Sequence, residues 1–203
     1  MTCRPLRIGV VGLGAGTLAA YGQPGDFIHF FEIDPDVISV AYGKDAILSF
    51  IRDLRARIDV TRGEARLALE RETHSCPTAK YDVLVLGAFS GDAIPVHLLT
   101  RDAFRIHFDM LQSDGILAVH MSNRHVNLEP VLHAVVEEFP VEVRSTFTVE
   151  QPPFKSNICM IFAANHEMLE IPGLDQIGQA APTDDPSVYW TDDHASLISP
   201  LRP

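Results

Sequence analysis

Residues 7–17 read Arg-Ile-Gly-Val-Val-Gly-Leu-Gly-Ala-Gly-Thr, and residues 26–34 read Asp-Phe-Ile-His-Phe-Phe-Glu-Ile-Asp. An apolar strand runs into Gly12, Gly14 and Gly16, and a second apolar strand ends at Glu32, twenty residues after Gly12. Glycines here let the chain turn tightly and let a ligand approach the backbone. A short helix starting at Thr17 would aim its free N–H groups at that ligand. An acid at the tip of the second strand can accept both hydroxyls of a ribose. The stretch therefore points to a nucleoside-containing ligand.

The glycine spacing narrows the choice. The dinucleotide fingerprint G-x-G-x-x-G places its third glycine five residues after the first. Here the third comes four after the first, and position 17 is Thr. G-x-G-x-G followed by an acid favours a sulfonium nucleoside of the S-adenosylmethionine class over NAD. A ligand-free glycine turn is disfavoured by the position of Glu32. A signal peptide, suggested by Arg4, Arg7 and Leu18-Ala19-Ala20, is disfavoured by the glycines that break the apolar run.

The 203 residues suffice for one domain with a substantial core, and 46% of them are hydrophobic, as in a globular chain. No apolar run reaches the roughly 18 residues that a membrane span needs. The net charge of -11 argues against a nucleic-acid partner and suits a small cationic substrate. Cys3, Cys76 and Cys159 lie far apart without metal spacing, and His74 near Cys76 has no second pair to complete a site. No metal is expected, and reduced thiols predict a cytoplasmic protein.

Strands alternate with helices, the signature of a parallel α/β sheet. The expected strands are Arg7–Val11, Phe27–Glu32, Ile58–Thr61, Tyr81–Leu86, Ile116–Met121, Val141–Val149 and Asn157–Ala163. Asp34 can cap a helix with Pro35 in its first turn, and Thr100 a helix through about Leu111. Further helical pieces are expected at 45–55 and Leu128–Glu138. The last two strands are joined by only Glu150–Ser156, too short for a parallel crossover, so they should form an antiparallel hairpin. Residues 1–203 read as a single domain, with a core at about 5–165 and a polar, Pro-rich tail over 166–203.

Five parallel strands closed by an antiparallel hairpin resemble the class I methyltransferase fold. Gly63-Glu64-Ala65-Arg66-Leu67-Ala68-Leu69 resembles the G-D-A-R-x-x-L motif of spermidine synthases, and Tyr81–Leu86 their Y-D-V-I-I-x-D strand. Ala88-Phe89-Ser90-Gly91-Asp92-Ala93-Ile94-Pro95-Val96-His97-Leu98-Leu99-Thr100, His120-Met121-Ser122-Asn123-Arg124 and Trp190-Thr191-Asp192-Asp193 resemble a bacterial branch of spermidine synthase-like proteins. The resemblance covers nearly the whole chain. It implies a Rossmann-like sheet of order 3-2-1-4-5-7-6 with strand seven antiparallel and helices on both faces.

It further implies that S-adenosylmethionine or its decarboxylated form is the co-substrate and a small cationic amine the acceptor, and it leaves a homodimer open. Gly12, Gly14 and Gly16 would approach the aminopropyl end and the ribose, and Glu32, with Ile33 beside it, would hold the ribose hydroxyls. Glu64 and Ala65 would meet the adenine edge, with Gly87 and Ala88 at the end of strand four completing the nucleoside site. Without the resemblance, Glu64 is equally a solvated loop acid.

Displacement at the carbon beside a positive sulfur needs a neutral amine, and carboxylates both hold the far ammonium and accept a proton. Spermidine synthases use D-x-x-D at the end of strand four. Here the first position is Gly87 and the next acid is Asp92, which is either the catalytic acid or a turn residue before Pro95. This departure predicts weak aminopropyl transfer. The family's small N-terminal β domain has no counterpart ahead of residue 7. Trp190 with Asp192 and Asp193 is a candidate seat for the substrate ammonium, an aromatic face beside carboxylates. Alternatively these are an anchoring Trp and a solvated acidic tail. Ser90, His97 and Asp92 suggest a hydrolase, but no G-x-S-x-G elbow is present. An ordinary methyltransferase or a non-catalytic nucleoside-binding module remain the alternatives.

Overall fold

The structure is a computed structural model that describes residues 4–43, 46–48, 51, 55–75, 77–88, 94–121, 127–148, 157–170, 178–180 and 187–195. Eight strands form one sheet: β1 (Arg7–Val11), β2 (Phe27–Glu32), β3 (Arg57–Arg62), β4 (Tyr81–Leu86), β5 (Leu111–His120), β6 (Glu142–Thr148), β7 (Asn157–Ala163) and β8 (Gly178–Ala180). The helices are α1 (Pro35–Ala41), α2 (Ala65–Ser75), α3 (Arg101–Asp109) and α4 (Glu129–Glu138). The strand order is β3-β2-β1-β4-β5-β7-β6-β8. The first five strands are parallel, and β7 pairs antiparallel with both β5 and β6. This is the expected methyltransferase-like sheet with one strand added.

The alternation of side chains along each strand divides the core in two. Val10, Ile28 and Phe30 pack with Ala19 and Ala41 on one face. Val11, Phe31, Leu84 and Leu86 pack on the other with Leu69 of α2, Phe104 of α3 and Leu132 of α4. The helix starts are read off single side chains. Asp34 accepts from the Asp36 N–H at 2.8 Å to cap α1, whose first residue is Pro35, and Thr100 accepts from the Ala103 N–H at 3.2 Å to cap α3.

Three features depart from the sequence reading. The helix expected after the glycines is only a five-residue 3-10 turn, Thr17–Tyr21, closed by Gly22 and followed at once by Pro24-Gly25. It lacks the length to act as a sustained dipole. β5 begins five residues before Ile116, because the pairing with β4 slips between Tyr81 and Val83 and absorbs Gln112–Gly115. Gly115 fits this slip, since a Cβ there would stand 3.0 Å from the carbonyl oxygens of both Gln112 and Tyr81. Finally, the tail supplies β8, three residues pairing antiparallel with β6, where only a polar covering segment was expected. The helical piece expected at 45–55 falls largely outside the described residues; the described ones there are not helical.

Among the described residues no helix is long and apolar enough to cross a membrane. His107, on α3, is completely buried and its Nε2–H donates to the Leu98 carbonyl at 3.1 Å, while its Nδ1 has no partner among the described residues. Protonating Nδ1 would bury an N–H with no acceptor, and burial pushes the pKa from 6.5 down to about 4. The unfolded chain therefore takes up this proton before the folded one does. Stability from this group is complete above pH 6.5 and is lost as the pH falls toward 4, by on the order of 3 kcal/mol. Denaturant melts between pH 7 and pH 4 should show this loss, and His107→Gln, which keeps a donor for Leu98, should lose less stability over the same range.

Candidate functional site

The cleft forms at the carboxyl ends of β1 to β4. β1 lies between β2 and β4, the point from which the chain winds outward in both directions and where open α/β sheets bind ligands. Gly12 is stitched to both neighbours: its N–H donates to the Phe31 carbonyl at 2.8 Å, while the Gly87 N–H donates to the Val11 carbonyl at 3.0 Å. Gly12 has φ +94, and a Cβ there would stand 2.8 Å from the Ala88 Cα and 3.0 Å from its nitrogen. Only glycine meets both conditions. Gly14 and Gly16 also have positive φ.

Glu32, at the end of β2, is fixed by two backbone donors. The Leu13 N–H donates to Oε2 and the Asp34 N–H to Oε1, each at 2.9 Å. The glycine loop and the start of α1 thus hold the carboxylate in one orientation, with the second lone pair of each oxygen unspent. Ile33, next in the chain, is largely exposed at the cleft wall. The cleft contains about 360 Å³ of empty space, part of it open to solvent, and is lined by Val11, Gly12, Phe31, Glu32, Ile33, Gly63, Glu64, Ala65, Ala88, Pro95, His97 and Leu98. Its floor is apolar, and its ionisable side chains are Glu32, Glu64 and His97. A second hollow, lined by Gly14, Ala15, Asp36, Val37, Val40 and Leu48, is nearly all apolar and carries one carboxylate.

Glu64 stands just before α2 and caps it, accepting from the Arg66 N–H at 2.9 Å on Oε1 and from the Leu67 N–H at 2.8 Å on Oε2. His97 Nε2 lies 3.2 Å from the same Oε1. His97 belongs to a single 3-10 turn, Val96–Leu98, which buries Leu98 and leaves the imidazole half-exposed on the cleft wall. Sequence reasoning met His97 only in the discounted hydrolase grouping with Ser90 and Asp92, because its contact to Glu64 spans 33 residues.

Residues 187–195 strap the outside of the cleft. Trp190 is 2% exposed and packs into the core among Leu99, Val131, Val135 and Phe139, and its carbonyl accepts from the Arg101 N–H at 2.7 Å. Arg66 grips Asp192 with both guanidinium nitrogens, at 2.7 Å from Nη1 to Oδ1 and with a second short contact from Nη2 to Oδ2. The Thr100 hydroxyl donates to Asp192 Oδ1 at 2.7 Å, and Arg66 Nη1 also reaches the His97 carbonyl at 3.2 Å. The hydrogen-bonded guanidinium holds the Asp192 carboxyl below the usual carboxylate range. In this arrangement Trp190 and Asp192 anchor the strap, and Asp193 is exposed beside them. Asp92, the candidate catalytic acid, lies outside the described residues. Gly87 and Ala88 sit at the end of β4, and among the described residues a Cβ on Gly87 would meet only the Val11 carbonyl oxygen at 3.7 Å. Among the described residues no group of three or more His, Cys, Asp or Glu could hold a metal.

Gly12→Ala should lower stability by about 1–3 kcal/mol, because the methyl group meets backbone that cannot swing aside. It should also weaken any ligand of the cleft, whereas Gly87→Ala should leave stability within about 0.5 kcal/mol. Thermal melts of the two variants check the contrast.

No family model matches the chain. It is 32% identical over 120 residues to a polyamine aminopropyltransferase of Vibrio vulnificus, a match covering 58% of this chain and 38% of that one. The chain thus spans less than half the length of the curated relative it matches. Among solved structures it is similar to a spermidine synthase in complex with the transition state analogue AdoDATO, with a TM-score of 0.60, 16% identity, and 94% of this chain and 64% of that one covered. It is also similar to spermidine synthase from Thermotoga maritima, with a TM-score of 0.58, 14% identity, and 98% and 66% covered. A probable spermidine synthase from Corynebacterium glutamicum gives 0.56 at 22% identity, with 79% and 57% covered. The chain has the methyltransferase-like fold of the spermidine synthases and is similar in sequence to a polyamine aminopropyltransferase.

Proposed function

We propose that this chain is a spermidine synthase-like transferase that binds decarboxylated S-adenosylmethionine in the cleft and passes its aminopropyl group to an amine. The observation that carries the reading is Glu32, a carboxylate oriented by the Leu13 and Asp34 N–H groups at the mouth of the glycine loop, where two ribose hydroxyls can donate to its remaining lone pairs. The sequence similarity to a polyamine aminopropyltransferase supports it. The aminopropyl chain then extends from the sulfur past Gly12 and Gly87.

In the transfer, the nitrogen lone pair of a neutral amine attacks the carbon beside the sulfonium. The carbon–sulfur bond breaks, and its electron pair goes to sulfur, leaving a neutral thioether, methylthioadenosine. The new ammonium then gives up a proton. Free alkyl amines are protonated near neutral pH, so a base at the attacking nitrogen matters, and losing one costs about 10²–10⁴-fold in rate. Gly87 offers no base. Transfer to putrescine is therefore slow unless Asp92 serves, while nucleoside binding survives because it rests chiefly on Gly12, Gly14, Gly16, Glu32 and Glu64.

Calorimetry with decarboxylated S-adenosylmethionine, S-adenosylmethionine, methylthioadenosine and NAD tests the ligand. The sulfonium nucleosides and the thioether should bind, and Glu32→Ala should cost about 1.5–3 kcal/mol of affinity, the worth of hydrogen bonds to a charged group. Binding of NAD alone would overturn the ligand class. Product analysis tests the reaction: methylthioadenosine means aminopropyl transfer, and S-adenosylhomocysteine means methyl transfer. Among the described residues a Cβ at position 87 would make only ordinary contact, with the Val11 carbonyl oxygen at 3.7 Å, so Gly87→Asp should raise aminopropyl turnover; weaker nucleoside binding instead would mean that the ligand packs on the Gly87 backbone. An unchanged rate would show that the proton leaves by another route.

A further inference from the structure

We propose that Asp192 is a positioning residue: through Arg66 it latches two segments of the cleft wall together, so that the strap and a nucleoside in the cleft bind cooperatively. The proposal rests on the nucleoside reading above. α2, α3 and α4 follow β3, β4 and β5 in the chain and begin on the cleft side of the sheet, and residues 187–195 touch the first turn of each. The Val188 N–H donates to the Pro130 carbonyl in α4 at 2.9 Å, and the Arg101 N–H in α3 donates to the Trp190 carbonyl at 2.7 Å. The Asp192 N–H donates to Asp102 Oδ2 at 3.2 Å, and the Asp192 carboxylate meets Arg66 in α2.

Arg66 joins the two wall segments. Glu64 and Ala65 line the cleft after β3, and Pro95, His97 and Leu98 line it after β4. The Arg66 N–H donates to Glu64 Oε1 at 2.9 Å, while its Nη1 reaches the His97 carbonyl at 3.2 Å and the Thr100 hydroxyl at 3.4 Å. An arginine side chain has many rotamers, and a partner that matches its planar fork selects one of them. Asp192 is that partner: it takes both Nη atoms, and the Thr100 hydroxyl donates to its Oδ1 at 2.7 Å. The guanidinium keeps the Asp192 pKa below the usual carboxylate range, so the grip is complete at neutral pH. Asp192 does not line the cleft, and its effect on a ligand passes through Arg66. A ligand that touches both wall segments binds the latched form better, and by reciprocity it tightens the latch in turn.

Trp190, the single tryptophan of the chain, is buried in the strap and reports on it. The test measures the dissociation constant of methylthioadenosine and the acrylamide quenching of Trp190 fluorescence. It compares the wild-type chain with Asp192→Asn, Asp192→Glu, Arg66→Lys and Glu32→Ala. Asp192→Asn keeps the shape and removes the charge; it should weaken the ligand about fivefold, the low end of ordinary coupling between sites. It should also make Trp190 easier to quench, and saturating methylthioadenosine should reverse part of that increase. Asp192→Glu should restore much of the affinity, because it keeps the carboxylate. Arg66→Lys keeps the charge but loses the fork, and should weaken the ligand as Asp192→Asn does. Glu32→Ala should weaken the ligand while Trp190, without ligand, stays as protected as in the wild type. Wild-type affinity in Asp192→Asn and Arg66→Lys, with Glu32→Ala still weakening the ligand, overturns the latch and spares the nucleoside site. A Trp190 that the ligand leaves equally quenchable in Asp192→Asn overturns the latch as well. Absence of methylthioadenosine binding to the wild type overturns the nucleoside reading and this proposal with it.

Discussion

The site depends on the absence of a side chain at Gly12. There the chain leaves the central strand at positive φ and passes within 2.8 Å of where a Cβ would touch the Ala88 backbone. That close approach lets one N–H bond to β2 while the residue before it accepts from β4. The ends of three strands are drawn together, and Glu32, Ala88 and the loop around Leu13 come to share one cleft. A methyl group at this point would press on the Ala88 backbone, 2.8 Å away, next to the Leu13 N–H that orients Glu32. The fold's sheet order and its ligand geometry thus meet in one backbone contact.

Two kinds of carboxylate surround the cleft, and their hydrogen bonds distinguish them. Glu32 is oriented by backbone donors on one side and has lone pairs left for a ligand. Asp192 is consumed by Arg66 and Thr100, and Glu64 is largely consumed by the first turn of α2 and by His97. A strongly negative chain therefore does not present a uniform acidic surface to a cationic substrate. Much of the negative charge beside the cleft is already paired, and it serves to hold the strap and the helix starts in place.

The parallel core was legible because its strands are nearly continuous apolar runs, and the hairpin because seven residues cannot make a crossover. Asp34 and Thr100 announced their helices through local capping chemistry. What stayed hidden depends on partners distant in sequence. The strap contact joins Arg66 and Asp192 across 126 residues, so nothing local to Trp190-Thr191-Asp192-Asp193 showed that Asp192 is paired. β8 is too short for any periodicity to show, and its pairing follows from the open edge of β6. The truncated turn after Gly16 was obscured by Thr-Leu-Ala-Ala, which reads as helix until Gly22 and Pro24-Gly25 end it. The role of Glu64 as a helix cap was readable in principle, because an acid before an apolar-periodic run is a start signal.

The central claim is that the cleft between the glycine loop and α2 holds a nucleoside by its ribose. A crystal structure of the chain with methylthioadenosine tests it most directly. Both ribose hydroxyls should lie within hydrogen-bond distance of the Glu32 carboxylate, with the base against Pro95 and Leu98. A nucleoside seated instead in the hollow between Ala15 and Val37, with Glu32 untouched, would contradict it.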